Sequence, residues 1–243
     1  MMTDELFRED ATLRACEARV VALEEGGVIL DRTVFYPQGG GQAGDSGELR
    51  AADGTVFEII DTRKSKLHAG GVLHVLAVGT AAPPVGTAVT AQIDAARRDA
   101  HRRFHTATHL LCALVPHAVD GCSITRDYAR LDFHMSEPLD KEALNAGLAR
   151  LVAGAHAVRH RWISEAELDA QPQLVRSMSV QPPRGLGRVR VLEIEGVDLQ
   201  PCGGTHVSNT REVGAVRVTR IEKKSAMTRR VVLGFAESSE GRS

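Results

Sequence analysis

Between residues 11 and 94 the chain alternates short apolar runs with glycine-rich turns. The runs are Ala18-Arg19-Val20-Val21-Ala22-Leu23, Gly27-Val28-Ile29-Leu30, Thr55-Val56-Phe57-Glu58-Ile59-Ile60, Gly71-Val72-Leu73-His74-Val75-Leu76 and Thr87-Ala88-Val89-Thr90-Ala91-Gln92-Ile93. Runs this short, rich in β-branched residues and bounded by turn residues, predict the strands of a small antiparallel β-barrel. After Asp94, a residue suited to capping a helix, the period changes. Ala100, Phe104, Ala107, Leu111 and Leu114 recur at three- and four-residue steps, which predicts a helix with one apolar stripe toward a core and His101, His105 and His109 on another stripe. Pro116 ends it.

Beyond Gly121, Tyr128-Ala129-Arg130-Leu131-Asp132-Phe133-His134-Met135 is strand-like, and Asp140 opens a second helix through Ala143, Leu144, Leu148, Leu151 and Val152. Ser164-Glu165-Ala166-Glu167 has capping-box spacing. Residues 189–194, 214–221 and 230–235 then read as strands. Helices over a sheet predict an α+β fold: a small N-terminal antiparallel β-barrel followed by a two-layer α/β sandwich. A chain of 243 residues exceeds the commonest single-domain size, so two domains are expected, at 1–94 and 95–243.

Composition adds little beyond class. With 43% hydrophobic and 25% charged residues the chain reads as an ordinary globular protein. It has neither a secretory pattern at its start nor about 18 consecutive apolar residues, so a cytoplasmic location without a membrane partner is expected, and no obligate protein partner is evident. The four cysteines then read as thiols; Cys16 falls in a strand, Cys112 on the histidine helix and Cys122 in a turn, and these three, with His101 and His134, are expected to be packing or surface residues. The net charge of −1 excludes a coat of positive charge, although it leaves room for local phosphate-contacting clusters. Such clusters occur at Arg97, Arg98, Arg102 and Arg103, at Arg63, Lys64 and Lys66, and at Lys223 and Lys224 with Arg229 and Arg230.

The candidate chemistry lies at two separate places. His105 and His109 are four apart and can offer two imidazoles from one helix face; alone, such a pair is ordinarily a surface or satisfied core pair. Pro201-Cys202-Gly203-Gly204-Thr205-His206 repeats the spacing with a thiol and a third imidazole. Two pairs, each at metal-ligand spacing, have no good packing explanation, and mixed thiolate and imidazole donors favour Zn²⁺ or a similar divalent ion, one per chain. The position that carries the general-base Glu in His-Glu-x-x-His peptidases is Thr106, so a zinc peptidase is not expected. A water made acidic by the metal would still attack an activated ester. Four protein ligands describe a closed site, so either one ligand, His206 first, is displaceable or the coordination number rises to five. A further loop, Phe35-Tyr36-Pro37-Gln38-Gly39-Gly40-Gly41-Gln42-Ala43-Gly44-Asp45-Ser46-Gly47, carries amide donors suited to a polar ligand but lacks the patterns of a phosphate-binding or dinucleotide loop, and a plain wide turn is the simpler reading.

His105-Thr106-Ala107-Thr108-His109-Leu110-Leu111, Pro201-Cys202-Gly203-Gly204-Thr205-His206-Val207 and Gly39-Gly40-Gly41-Gln42 closely resemble the editing domain of alanyl-tRNA synthetase and its free-standing relatives, the AlaX trans-editing proteins. The similarity covers essentially the whole chain in the right order. It implies the sandwich of the threonyl- and alanyl-tRNA synthetase editing type, zinc at His105, His109, Cys202 and His206, and ATP-independent hydrolysis of mischarged seryl-tRNA(Ala), often also glycyl-tRNA(Ala). On this resemblance the chain lacks room for an aminoacylation core, and the extra C-terminal domain of the longer AlaX proteins is expected to be absent.

Within that reading no protein base is assigned, the nucleophile being the zinc-held water. Gln42, Thr106 and Thr108 are expected to shape the pocket and bond the substrate amine or serine hydroxyl, and Arg97, Arg98, Arg102, Arg103, Lys223 and Lys224 to meet tRNA phosphates. For Thr108 the alternative is a bond to its own helix backbone. Two other functions use the same residues: a non-catalytic zinc-stabilised RNA-binding module and a metallo-esterase for small molecules.

Overall fold

The computed structural model describes residues 2–178, 182, 185 and 187–236. The chain divides into two units, Met1–Asp99 and Ala100–Ser243, and the division falls inside the first long helix, α1 (Ala95–Leu114).

The N-terminal unit contains β1 (Asp4–Glu5), β2 (Ala15–Glu24), β3 (Gly27–Leu30), β4 (Arg32–Thr33), β5 (Gly47–Ala51), β6 (Val56–Lys64), β7 (Val72–Leu76) and β8 (Ala88–Ile93). Strands β2-β3-β7-β6-β5-β8 close into an antiparallel barrel, and β1 pairs with β4 in parallel beside it. The alternation that predicts strands also fills the barrel: Val89, Ala91 and Ile93 of β8 point inward onto Val20, Leu30, Leu49, Ile59 and Leu76. Strand β5 has no counterpart among the expected strands. Its only fully buried apolar residue is Leu49, and Gly47-Glu48-Leu49-Arg50-Ala51 follows a loop rich in Gly, so its pattern is too short to stand out.

The glycine-rich loop is built as well as permitted. Gly39 and Gln42 exchange backbone hydrogen bonds of 3.1 and 3.0 Å across Gly40 and Gly41, whose φ values of 58° and 85° suit glycine in a two-residue turn. A Cβ on Gly44 would lie 2.2 Å from the Thr62 carbonyl oxygen, so the loop can pack against β6 only with glycine there. Asp45 accepts a hydrogen bond from the Tyr36 amide at 2.6 Å and forms a buried ion pair with Arg98, from the first turns of α1.

The second unit contains the rest of α1, then β9 (Val119–Ile124), β10 (Ala129–His134), α2 (Lys141–Ala153), β11 (Val158–Ser164), α3 (Glu165–Asp169), β12 (Arg188–Ile194), β13 (Asp198–Pro201), β14 (Val216–Ser225) and β15 (Thr228–Phe235). They form two sheets, β14-β15-β10-β9 and β11-β12-β13. A single core joins Phe104, Leu110 and Leu111 of α1 to Leu131 and Phe133 of β10, Leu148 of α2, Leu192 and Ile194 of β12, and Val231 and Leu233 of β15. The α+β architecture read from the sequence, a barrel followed by helices layered on sheets, is the one observed.

Asp140 caps α2, accepting from the amides of Glu142 at 2.9 Å and Ala143 at 3.1 Å, and Ser164 with Glu167 forms the expected capping box. One local expectation is corrected: Cys122 lies in β9 rather than a turn, because its segment pairs with Leu131 of β10. The histidine stripe of α1 is as buried as the apolar one.

Candidate metal centre

The cluster begins with helical geometry. His105 and His109 lie one turn apart on α1 with ring centroids 5.6 Å apart, and both rings are buried. The second pair reaches them through strand pairing. In the β12–β13 ladder Ile194 faces Asp198, Leu192 faces Gln200, and the Cys202 amide continues the ladder by donating to Arg190 O at 3.1 Å. Asp198, Gln200 and Cys202 alternate along the chain and so share one face of the sheet.

Arg190 then folds the next turn, its guanidinium donating to the carbonyls of Cys202 at 3.0 Å and Gly204 at 3.1 Å. Cys202 Sγ comes to 3.4 Å from His105 Nε2 and 3.2 Å from His206 Nε2. One donor atom from each of His105, His109, Cys202 and His206 lies within 4.8 Å of the others. The four candidate ligands named from spacing are thus gathered at one point.

The electrostatics suit metal ligands. Burial alone would raise the Cys202 thiol, but the surrounding imidazoles, with hydrogen bonds from His105 and His109, outweigh it and hold the thiol well below its ordinary range. Burial and the neighbouring His105 push His206 well below its usual value, which keeps its imidazole neutral. Thiolate and neutral imidazole are the forms that bind metal. Burial also opposes a proton on His109, yet the Asp198 hydrogen bond prevails and raises it to about 10. A metal would displace that proton. By donor chemistry, spacing and burial the cluster fits a zinc-type ion.

Surrounding residues aim the rings. His109 Nδ1 is 2.9 Å from Asp198 Oδ2, which leaves Nε2 for the cluster. Gln200 Nε2 donates to both Asp198 oxygens at 3.0 and 2.9 Å, and Arg176 approaches Asp198 at 3.8 Å. Thr106 Oγ1 donates to Arg102 O at 2.9 Å, accepts from Val207 N at 3.3 Å and faces His206 Nδ1 at 3.3 Å. Arg102 Nε donates to His206 O at 2.9 Å. His206 is therefore braced at its ring and its carbonyl, which argues against its being the displaceable ligand.

Asp198, Gln200 and Arg190 escape a reading by motif. The available signal was a polar alternation, Asp198-Leu199-Gln200-Pro201-Cys202, running into a candidate ligand.

The other candidate residues have definite places. The Thr106 hydroxyl is engaged by the chain itself, as above. Thr108 Oγ1 donates to His105 O at 2.7 Å, the backbone bond considered for it. Gln42 is buried in the glycine-rich loop. Arg97 donates to Gly44 O at 3.1 and 3.0 Å, and Arg98 is 2% exposed, bonded to Asp45, Ala11 O and Val34 O. Arg103 lies 3.9 Å over the Phe235 ring and donates to Val213 O at 3.0 Å. Lys223 and Lys224 on β14 are exposed. Of these basic residues, the two lysines present their charges most openly.

Residues 189–232 match the family model described as threonyl and alanyl tRNA synthetase second additional domain, and residues 9–97 match that described as tRNA synthetases class II (A). Fold, donor cluster and these matches define a domain of the tRNA synthetase editing type. The chain is 31% identical to the alanyl-tRNA editing protein AlaX-M of Methanosarcina mazei over an alignment of 253 positions, gaps included, covering 99% of both chains. It is 31% identical to the AlaX-L protein of Pyrococcus horikoshii, covering 92% of this chain and 56% of that one. It is also 34% identical to the alanine–tRNA ligase of Archaeoglobus fulgidus, covering 90% of this chain and 24% of the ligase. The chain belongs to the AlaX-M alanyl-tRNA editing proteins.

Proposed function

We propose that this chain hydrolyses, in trans, the ester bond of seryl-tRNA(Ala), and of glycyl-tRNA(Ala), using one zinc ion held by His105, His109, Cys202 and His206. The observation that carries this reading is the buried three-imidazole, one-thiol cluster in a chain of the alanyl-tRNA editing family. When bound, zinc supplies a Lewis acid that polarises an ester carbonyl and makes water acidic enough to act near neutral pH. The chain's own part is positional. Asp198 fixes the tautomer and direction of His109, Thr106 meets the His206 ring at Nδ1, and Arg102 holds the His206 backbone carbonyl.

With its proton spent on His105 O, the Thr108 hydroxyl offers its oxygen as an acceptor for a substrate amine or hydroxyl. A site built to bond the serine hydroxyl leaves polar groups unpaired when alanine enters, which is how the correct ester is spared. Lys223 and Lys224, with Arg97 and Arg103, serve as phosphate contacts, while Arg98 and Arg102 brace the protein. Among the described residues no helix is long and apolar enough to cross a membrane, and we place the activity in the cytoplasm, on tRNA.

The test presents the purified protein with seryl-, glycyl- and alanyl-tRNA(Ala). The first two should be deacylated without ATP, and alanyl-tRNA(Ala) spared. Retention of tRNA and zinc with no release of serine would instead identify a zinc-stabilised RNA-binding module.

Asp198→Asn supplies a more local prediction. An amide still fills the space but holds His109 less well, so zinc affinity should fall about 10–100-fold, the usual cost of losing such a partner. Competition against a chromophoric chelator measures it, and an unchanged affinity would show that Asp198 does not orient the ligand.

A further inference from the structure

Trp162, the only tryptophan in the chain, lies on β11, the outer strand of its sheet, and is 36% exposed. Register places it in one row with the metal cluster. Trp162 faces Arg190 across the β11–β12 ladder, and Arg190 O accepts from the Cys202 amide in the next strand's continuation. Side chains opposite each other in antiparallel strands share a face, so Trp162, Arg190 and Cys202 lie side by side on the face that meets α1. Two strand spacings separate Trp162 from Cys202 along this row, about 10 Å between backbones.

That face carries positive charge beside the ring. The Arg188 guanidinium lies 4.6 Å from the Trp162 ring centroid, and His160 is the neighbouring residue on the same face of β11. The nearest acidic side chain of this ladder, Glu193, faces Arg159 and pairs with Arg161 on the opposite side of the sheet. An exposed aromatic ring with an arginine stacked on it suits the bases and phosphates of single-stranded nucleic acid. Its distance from Cys202 is within reach of one or two nucleotides.

We propose that Trp162 and Arg188 form a nucleobase-stacking site that takes the single-stranded 3′ end of the tRNA and so delivers the ester to the cluster of His105, His109, Cys202 and His206. The site rests on the deacylase reading above and adds to it the place where the RNA is gripped next to the chemistry. Arg190 couples the two, since it pairs opposite Trp162 on one side while its guanidinium shapes the Cys202 turn on the other.

Because Trp162 is the sole tryptophan, its fluorescence reports its own contacts. Titration of the full-length protein with uncharged tRNA(Ala) should quench it, and the same tRNA lacking its single-stranded 3′ end should not. Filter retention measures total binding of both RNAs in parallel. Trp162→Leu should raise KM for seryl-tRNA(Ala) about tenfold, with the loss in KM rather than kcat, and Trp162→Phe should recover most of it. Zinc content equal to that of wild type verifies that the variants are folded at the cluster. Retention of intact tRNA without quenching, equal quenching by the truncated tRNA, or a wild-type KM in Trp162→Leu overturns the stacking site alone. No retention of tRNA by the wild-type protein overturns the deacylase reading and this site with it.

Discussion

Cys202→Ala is expected to abolish deacylation of seryl-tRNA(Ala), lowering kcat/KM by at least about a thousandfold. Lewis-acid catalysis contributes several kcal/mol, and about 1.4 kcal/mol is worth a factor of ten. The thiol is central to the cluster, touching His105 Nε2 at 3.4 Å and His206 Nε2 at 3.2 Å, and it is the one donor whose negative charge offsets a divalent ion. Its backbone is held independently by the Arg190 carbonyl and guanidinium, so the turn should survive loss of the sulfur. Elemental analysis should find the variant depleted of zinc, and Cys202→Ser, which keeps the volume but offers a poor zinc donor, should behave alike. Wild-type rates in a zinc-free Cys202→Ala protein would defeat the metal-dependent reading while leaving the tRNA partner untouched. Prolonged treatment of wild type with a chelator should reproduce the loss, and added zinc should restore it.

Asp45→Ala is expected to destabilise the barrel unit by about 3–5 kcal/mol, because it leaves the Arg98 guanidinium buried without its counter-charge. The pair is 2% and 0% exposed, and Asp45 also accepts from the Tyr36 amide at 2.6 Å. Arg98 keeps its bonds to the carbonyls of Ala11 and Val34, which neutralise no charge. The glycine-rich loop carrying Gln42 loses its anchor in the same step. Denaturant unfolding followed in parallel by β-sheet circular dichroism, to which both units contribute, and by Trp162 fluorescence, which reports the second unit alone, isolates the change in the barrel. The double variant Asp45→Ala with Arg98→Met should recover part of the loss, as a buried pair is costly mainly when half of it remains. A drop below about 1 kcal/mol in the single variant would show that water reaches the guanidinium.

Cys202 is visible in a line of letters because its partner His206 is four residues away, and His105 and His109 are separated by the same short step. Spacing within one turn is local chemistry, and the helix or tight turn that realises it needs no knowledge of the rest of the chain. The barrel strands announce themselves similarly, as short apolar runs bounded by turn residues, except β5, whose single buried Leu49 leaves nothing to count. The arginines before the histidines look alike in sequence, yet Arg98 is locked against Asp45 and Arg102 against the His206 carbonyl, whereas Lys223 and Lys224 face solvent. Burial sorts them, and burial is a property of what packs above them.

The primary structure thus sufficed for the four donors, the α+β class and the family likeness, since each is written in short-range periodicity or a contiguous motif. It could not say that Asp198 orients His109, that Thr106 turns inward to His206, or that Trp162, Arg190 and Cys202 stand in one row. Those relations depend on strand register and on which face of α1 meets the β11-β12-β13 sheet, and a slip of one residue would send Asp198, Gln200 and Cys202 to the other side. Register is set by the sum of packing over the whole core, which no local stretch of sequence contains.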